Sequence, residues 1–115
     1  MDVIIYHNAK CSKSRQALEL LKSRGIEPEI IEYLETPPTR DRLAQSLQLL
    51  KLTPRELLRS SEAAYRDNGL HDPNLSPDQL LDALVRHPIL LQRPIVLANG
   101  KAAIGRPPEN VLDIL

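Results

Sequence analysis

Two textures of apolar and polar residues alternate along this chain. Val3-Ile4-Ile5-Tyr6 is a short unbroken apolar run, as expected of a buried strand. From Ser12 to Arg24 the spacing lengthens: Leu18, Leu20 and Leu21 share a helical stripe, and Gly25 supplies a stop just beyond. Glu29-Ile30-Ile31-Glu32-Tyr33 returns to strand texture. A strand, a helix of about a dozen residues and a second strand make a βαβ unit, which predicts parallel strands joined by a right-handed crossover. Thr36-Pro37-Pro38-Thr39 then breaks the pattern.

The middle of the chain is helical. Thr39 is placed to cap a segment in which Leu43, Leu47 and Leu50 recur at helical spacing. Thr53-Pro54 reads as an N-cap with proline at the first helical position, opening a helix over Arg55–Arg59. Ser76-Pro77-Asp78-Gln79 adds the glutamine of a capping box before Leu80, Leu81, Leu84 and Val85. Asn68-Gly69 and His71-Asp72-Pro73 mark loops. After His87-Pro88 the strand texture resumes. Pro94–Ala98 and Lys101–Ile104 flank Asn99-Gly100, a strong two-residue hairpin signal, and Val111, Leu112, Ile114 and Leu115 close the chain as a helix. The order βαβ, helices, ββα is an α/β, thioredoxin-like plan: a mixed four-stranded sheet in one domain spanning 1–115, with an all-helical insertion at about 37–90.

Composition narrows the function classes. A chain of 115 residues is long enough for one domain with a real core. Fifteen basic residues balance fifteen acidic ones, so no global field points to nucleic acid or a membrane surface. Three tyrosines are the only aromatic residues, which argues against base-stacking platforms. No apolar run approaches the roughly 20 residues that span a bilayer, and no signal peptide is apparent. A lone cysteine forms no internal disulfide, which suits a reducing compartment. The expectation is a soluble, cytoplasmic, monomeric domain with no nucleic-acid or membrane partner.

That cysteine, Cys11, sits where the first strand texture gives way to the first helix texture, in His7-Asn8-Ala9-Lys10-Cys11-Ser12-Lys13-Ser14-Arg15. A sulfur at the first turn of a helix lies near unpaired backbone N–H groups and the positive end of the macrodipole. Both favour the nucleophilic thiolate, and Lys10 and Lys13 add positive charge. Free cysteine is ordinarily a small buried hydrophobe. Here the flanks are polar, which predicts a solvated loop–helix junction instead. Ser12 and Ser14 carry hydroxyls able to donate to an oxyanion, and successive N–H groups at a helix start form an anion nest. The turn reads as a nucleophile in an anion pocket. Asn8 is suited to fixing the loop through backbone hydrogen bonds, or to plain turn chemistry; His7 is a candidate for tuning the thiolate, or an ordinary surface histidine. One cysteine and three scattered histidines offer no metal-ligand pair, so no metal is expected. With no second cysteine, an external thiol must complete whatever Cys11 begins.

Three arginines complete the candidate set. Arg59 follows Leu57-Leu58, Arg93 precedes Pro94, and Arg106 lies in Gly105-Arg106-Pro107. A proline beside an arginine stiffens the backbone that aims it, and a planar guanidinium suits a tetrahedral oxyanion. Composition alone would place all three on a solvated surface.

Six segments occur in a familiar order: His7-Asn8-x-x-Cys11-x-x-Ser14-Arg15, Tyr33-Leu34-Glu35-Thr36-Pro37-Pro38, Glu56-Leu57-Leu58-Arg59, His87-Pro88-Ile89-Leu90, Arg93-Pro94-Ile95-Val96 and Gly105-Arg106-Pro107. Together they resemble the glutathione- and glutaredoxin-linked arsenate reductases, the ArsC family, over nearly the whole chain. The resemblance implies a thioredoxin-like fold with no bound cofactor. It implies that Cys11 attacks arsenate, that Arg59, Arg93 and Arg106 bind the oxyanion, and that His7 and Ser14 lower the cysteine pKa. Glutathione would then add as co-substrate, and glutaredoxin would resolve the mixed disulfide as arsenite leaves. It further implies a cis Arg93–Pro94 peptide facing Cys11. The turn Cys11-Ser12-Lys13-Ser14 differs from the Gly-Thr pair between Cys and Ser in plasmid-borne members, and Ser12 and Lys13 become candidate contacts for glutathione or another anion. Two other roles exist in the superfamily: an Spx-like regulator that binds RNA polymerase, and a glutathione-dependent thiol–disulfide oxidoreductase. Spx-type switching uses a Cys-x-x-Cys pair, and Ser14 stands at its second position here.

Overall fold

In the computed structural model, which describes residues 2–115, the first apolar run becomes β1 (Val3–His7). It is a central strand. β2 (Glu29–Glu32) pairs parallel to it with Ile5 opposite Ile30, and β3 (Ile95–Ala98) pairs antiparallel with Tyr6 opposite Ile95. β4 (Lys101–Ile104) pairs antiparallel to β3, giving the sheet order β2-β1-β3-β4. Between β3 and β4, Asn99 and Gly100 both take positive φ (56° and 69°), as a type I′ hairpin turn requires. This is the thioredoxin-like arrangement expected from the element order.

The helix α1 (Ser12–Ser23) follows β1. Its buried stripe is Ser14, Ala17 and Leu21, at helical spacing of three and four. Leu18 and Leu20, expected on that stripe, are only partly buried at its margin. Small residues on the inner face let the helix approach the sheet closely. Ala17 and Leu21 pack with Val3, Ile5, Val96, Ala98, Val111 and Ile114 in one core cluster. Fully burying each Val, Leu or Ile side chain of this cluster stabilises the fold by about 1.5–3 kcal/mol. The helix ends where Gly25 turns left-handed (φ 75°), with the Gly25 N–H donated to Lys22 O and that of Ile26 to Leu21 O, a Schellman closure.

Several boundaries differ from the sequence expectation. β2 stops at Glu32 because the N–H groups of Glu35 and Thr36 both return to the Glu32 carbonyl, turning the chain before Tyr33 can pair. β3 opens at Ile95, since Pro94 has no N–H to give the ladder. The closing segment, expected as the α of ββα, is a 3₁₀ helix over Pro108–Ile114. Its buried residues, Pro108, Val111 and Ile114, recur every three positions, and only a helix of three residues per turn stacks such a set on one face.

The chain divides at Thr36/Pro37 and Gln92/Arg93 into two compact units, with the sheet, α1 and the closing 3₁₀ helix in one. The other, Pro37–Gln92, is all-helical. It holds α2 (Arg40–Leu50), α3 (Pro54–Leu57), α4 (Ala63–Asp67), α5 (Pro77–Arg86) and a 3₁₀ turn at Pro88–Leu90. The Thr39 hydroxyl caps α2 by accepting from the Arg42 N–H, and Thr53 and Ser76 close full capping boxes with Glu56 and Gln79. α3 ends at Leu57, not Arg59, because Leu58 is extended and bridges Leu91. α4 buries none of its residues, so it left no apolar stripe to read. Arg40 ties α2 to α5 through Asp78 and Asp82. Among these features the Ser76 box is the most separable. Ser76→Ala is expected to destabilise the protein by about 1 kcal/mol, read as a lower urea midpoint at unchanged slope.

Candidate active site around Cys11

The alternation of β1 sends Val3, Ile5 and His7 to the face that α1 covers. On the helix, Ser14 begins the stripe that Ala17 and Leu21 continue. Where the two meet, the Ser14 hydroxyl lies 2.6 Å from His7 Nδ1 and accepts the Asn8 N–H at 3.0 Å. His7 is 6% exposed and Ser14 0%. Burial, opposed by Glu32 and reinforced by Arg15 and Lys22, holds His7 below the ordinary histidine pKa. Neutral imidazole therefore prevails at neutral pH, and Nδ1 shares a hydrogen bond with the Ser14 hydroxyl. This link pins the first turn of α1 to the end of β1.

The loop between them is fixed by its own backbone. The Asn8 carbonyl accepts the Cys11 N–H (2.9 Å), its side-chain oxygen accepts the Lys10 N–H (3.0 Å), and Arg15 Nη1 donates to the Ala9 carbonyl (2.8 Å). Cys11 is the N-cap residue of α1, extended at φ −94°, ψ 123°.

Its sulfur is covered. Cys11 is 8% exposed, which corrects the expectation of a solvated junction: Lys10 and Ser12 face solvent, whereas the residue between them turns inward. Arg106 Nη2 lies 3.7 Å from Sγ. Burial pushes the thiol up, yet the Ser14 N–H, the Arg93 charge, the Lys13 N–H and the Arg106 charge together hold it below the ordinary value. The leading charges are thus the two arginines, brought from the far end of the sequence. Lys13 acts through its backbone N–H, as does Ser14, whose hydroxyl is spent on His7 and Asn8.

The arginines are themselves tied together. Arg106 Nε donates to the Arg93 carbonyl (2.8 Å), and the Gly105 N–H donates to the Pro94 carbonyl (2.8 Å). Arg93–Pro94 is cis, as the resemblance implied; Arg106–Pro107 is also cis, which nothing in the sequence reading anticipated. Arg93 Nε and Nη1 are buried and have no hydrogen-bond partner among the described residues. A buried donor left unpaired costs on the order of 1–3 kcal/mol, more for a charged group, and a tetrahedral anion would satisfy both. The centre therefore pairs a nucleophile with cationic donors that have nothing to hold.

One unit thus gathers His7, Asn8, Cys11, Ser14, Arg93 and Arg106, with Ser12 and Lys13 on the first turn of α1. Arg59 belongs to the other unit, where its N–H bonds the Leu90 carbonyl (2.7 Å) and its guanidinium pairs with Glu62. The Arg106–Arg93 clamp was missed by sequence reasoning; the two Arg-Pro pairs were its only signal. Among the described residues, no three His, Cys, Asp or Glu side chains group as metal ligands would, and no helix is long and apolar enough to cross a membrane.

A depressed thiol pKa fixes the direction of a pH profile. Between the folded pKa and the ordinary value of about 8.5, the folded protein holds more thiolate than a free cysteine does. Alkylation of Cys11 is expected to rise through a midpoint below about 8.5 and then level off. The lowered pKa also stabilises the fold, fully so above the ordinary thiol pKa, and the gain fades as pH falls through the folded pKa. An alkylation midpoint at or above about 8.5 would contradict the electrostatic argument.

Residues 6–114 match the ArsC family. The chain is 52% identical over 114 residues to the uncharacterised protein YfgD of Escherichia coli (strain K12), covering 98% of this chain and 96% of that one. It is 50% identical over 115 residues to an arsenate reductase of Neisseria meningitidis serogroup A, covering 99% and 98%. The solved structure of an arsenate reductase from Vibrio cholerae superposes with a TM-score of 0.97 at 50% identity, covering 100% of this chain and 98% of that one.

Proposed function

Since this chain belongs to the ArsC family, we propose that it is an arsenate reductase whose nucleophile is Cys11. The observation that carries this reading is the meeting of a buried, low-pKa thiol with Arg106 and with unpartnered donors of Arg93. A thiolate is favoured there before substrate arrives, and the same two guanidiniums are suited to an oxyanion. Arg59 enters the proposal only through its match to the family pattern.

In the proposed reaction the Cys11 thiolate attacks arsenic and one arsenate oxygen leaves as water. Glutathione displaces a second oxygen, also as water. A glutaredoxin thiolate then attacks the glutathione sulfur, forming a mixed disulfide, and the As–S electron pair stays on arsenic, reducing As(V) to As(III). Water releases arsenite and returns Cys11 to the thiol. Two thiols lose one electron each, matching the two-electron reduction. The lone cysteine fits this external relay, and Ser12 and Lys13 are proposed contacts for glutathione. Their place on the first turn of α1 supports that assignment.

The test is NADPH oxidation by purified protein with glutathione, glutaredoxin and glutathione reductase. Consumption that depends on arsenate is expected. With glutaredoxin omitted, turnover of a small disulfide that requires the protein, together with no arsenate-dependent consumption in the full assay, would overturn the proposal in favour of a thiol–disulfide oxidoreductase.

A further inference from the structure

Gly105 is the point where the parts of the Cys11 centre touch without a side chain between them. It does not occupy the left-handed region that Gly25, Gly69 and Gly100 use, so its backbone conformation would admit alanine. Space is what excludes one. A Cβ at this position would lie 2.7 Å from Pro94 Cγ, 3.4 Å from Pro94 Cδ and 3.3 Å from Ala17 Cβ. The first distance is inside any real carbon contact. The atom it meets belongs to a closed pyrrolidine ring, not the free end of a flexible side chain, and Ala17 is fully buried in the core on α1. A change of ring pucker shifts Pro94 Cγ but leaves the Ala17 contact, so full relief requires moving backbone.

Each of those neighbours carries part of the site. Pro94 follows Arg93, Ala17 lies on the helix that Cys11 caps, and Arg106 is the next residue along. Gly105 donates its N–H to the Pro94 carbonyl (2.8 Å). The chain also makes a three-residue turn at Gly105, closed by the Arg106 N–H on the Ile104 carbonyl (2.9 Å). That turn sends the Arg106 side chain back to the Arg93 carbonyl and to the Cys11 sulfur.

The geometry points to Gly105 as a positioning residue: its missing side chain lets the Pro94 ring, the end of β4 and α1 close on one another, and so holds Arg93 and Arg106 against Cys11. The effect on turnover rests on the proposed arsenate reaction, whereas the effect on the thiol does not. Displacing reacting groups by about 1 Å can lower a rate about 100-fold. Gly105→Ala is expected to raise the Cys11 alkylation midpoint and to lower kcat/KM for arsenate about 10- to 100-fold, with far-ultraviolet circular dichroism unchanged.

Gly105→Ala/Ala17→Gly removes the 3.3 Å contact and leaves the new methyl room to shift away from Pro94. It is expected to recover part of the thiol shift, and it stands in as the test if the single variant does not fold. Val111→Ala, a cavity in the core cluster, should lower the melting temperature with the alkylation midpoint in place. A folded Gly105→Ala with the parent midpoint, or a Val111→Ala that shifts the midpoint equally, overturns the inference. Absence of arsenate turnover in the parent protein would instead strike at the proposed function and leave the thiol result to be judged separately.

Discussion

Replacing Cys11 by serine is expected to reduce arsenate-dependent NADPH oxidation to background, a loss on the order of 10⁴- to 10⁶-fold, the scale seen when an enzyme loses its nucleophile. Oxygen is a close match for sulfur in size, so the buried position is kept. The chemistry is not. The N–H groups of Ser14 and Lys13 and the charges of Arg93 and Arg106 bring a thiol into its reactive form, but a hydroxyl so placed stays protonated at neutral pH. Cys11→Ser should unfold within a few degrees of the parent protein, which separates lost chemistry from lost structure. Measurable turnover in the serine variant would place the nucleophile elsewhere, and the chain has no second cysteine to supply it.

The second large effect is expected from the arginines. Arg93→Ala and Arg106→Ala should each lower kcat/KM about 10²- to 10³-fold, the loss typical of removing one preorganised oxyanion contact. Their effects should not add. Arg106 holds the Arg93 carbonyl through Nε, so removing Arg106 also frees the backbone that aims Arg93. The double variant should therefore lose less than the product of the single losses. Arg106→Lys should rescue poorly, because an ammonium on a flexible stem has no rigid Nε to spare for the Arg93 carbonyl while a second nitrogen faces the sulfur. Independent, multiplying losses would show that the clamp has no functional weight.

The features legible in the sequence are those written in local chemistry. The Asn99-Gly100 turn, the N-cap at Thr53, the capping box at Ser76, and the strand textures of β1, β3 and β4 each depend on a few neighbouring residues. The four-stranded sheet followed from their order. What stayed hidden depends on residues distant in the chain. The polar flanks of Cys11 suggested solvent, yet the residue is buried and Arg106 returns to 3.7 Å from its sulfur. Lys10 and Lys13 were the charges visible nearby, yet the charges that act are Arg93 and Arg106. Ser14 promised a hydroxyl for an oxyanion and instead spends it on His7 and Asn8. The 3₁₀ closure is written in the triplet spacing of Pro108, Val111 and Ile114, a period close enough to the α-helical one to pass for it. The crowding at Gly105 left no trace, since it exists only between β4, Pro94 and α1.

The contact between Cys11 and Arg106 spans 95 residues. The cysteine and the arginines that activate it lie on elements far apart in the sequence. Until β3 pairs with β1 and β4 with β3, neither guanidinium is beside the sulfur, and the thiol keeps only what the first turn of its helix supplies. Full activation of the thiol therefore requires the β1–β3 pairing and the turn that returns Arg106. Folding itself is the step that lowers the thiol pKa, so a chain without these contacts holds less thiolate at neutral pH.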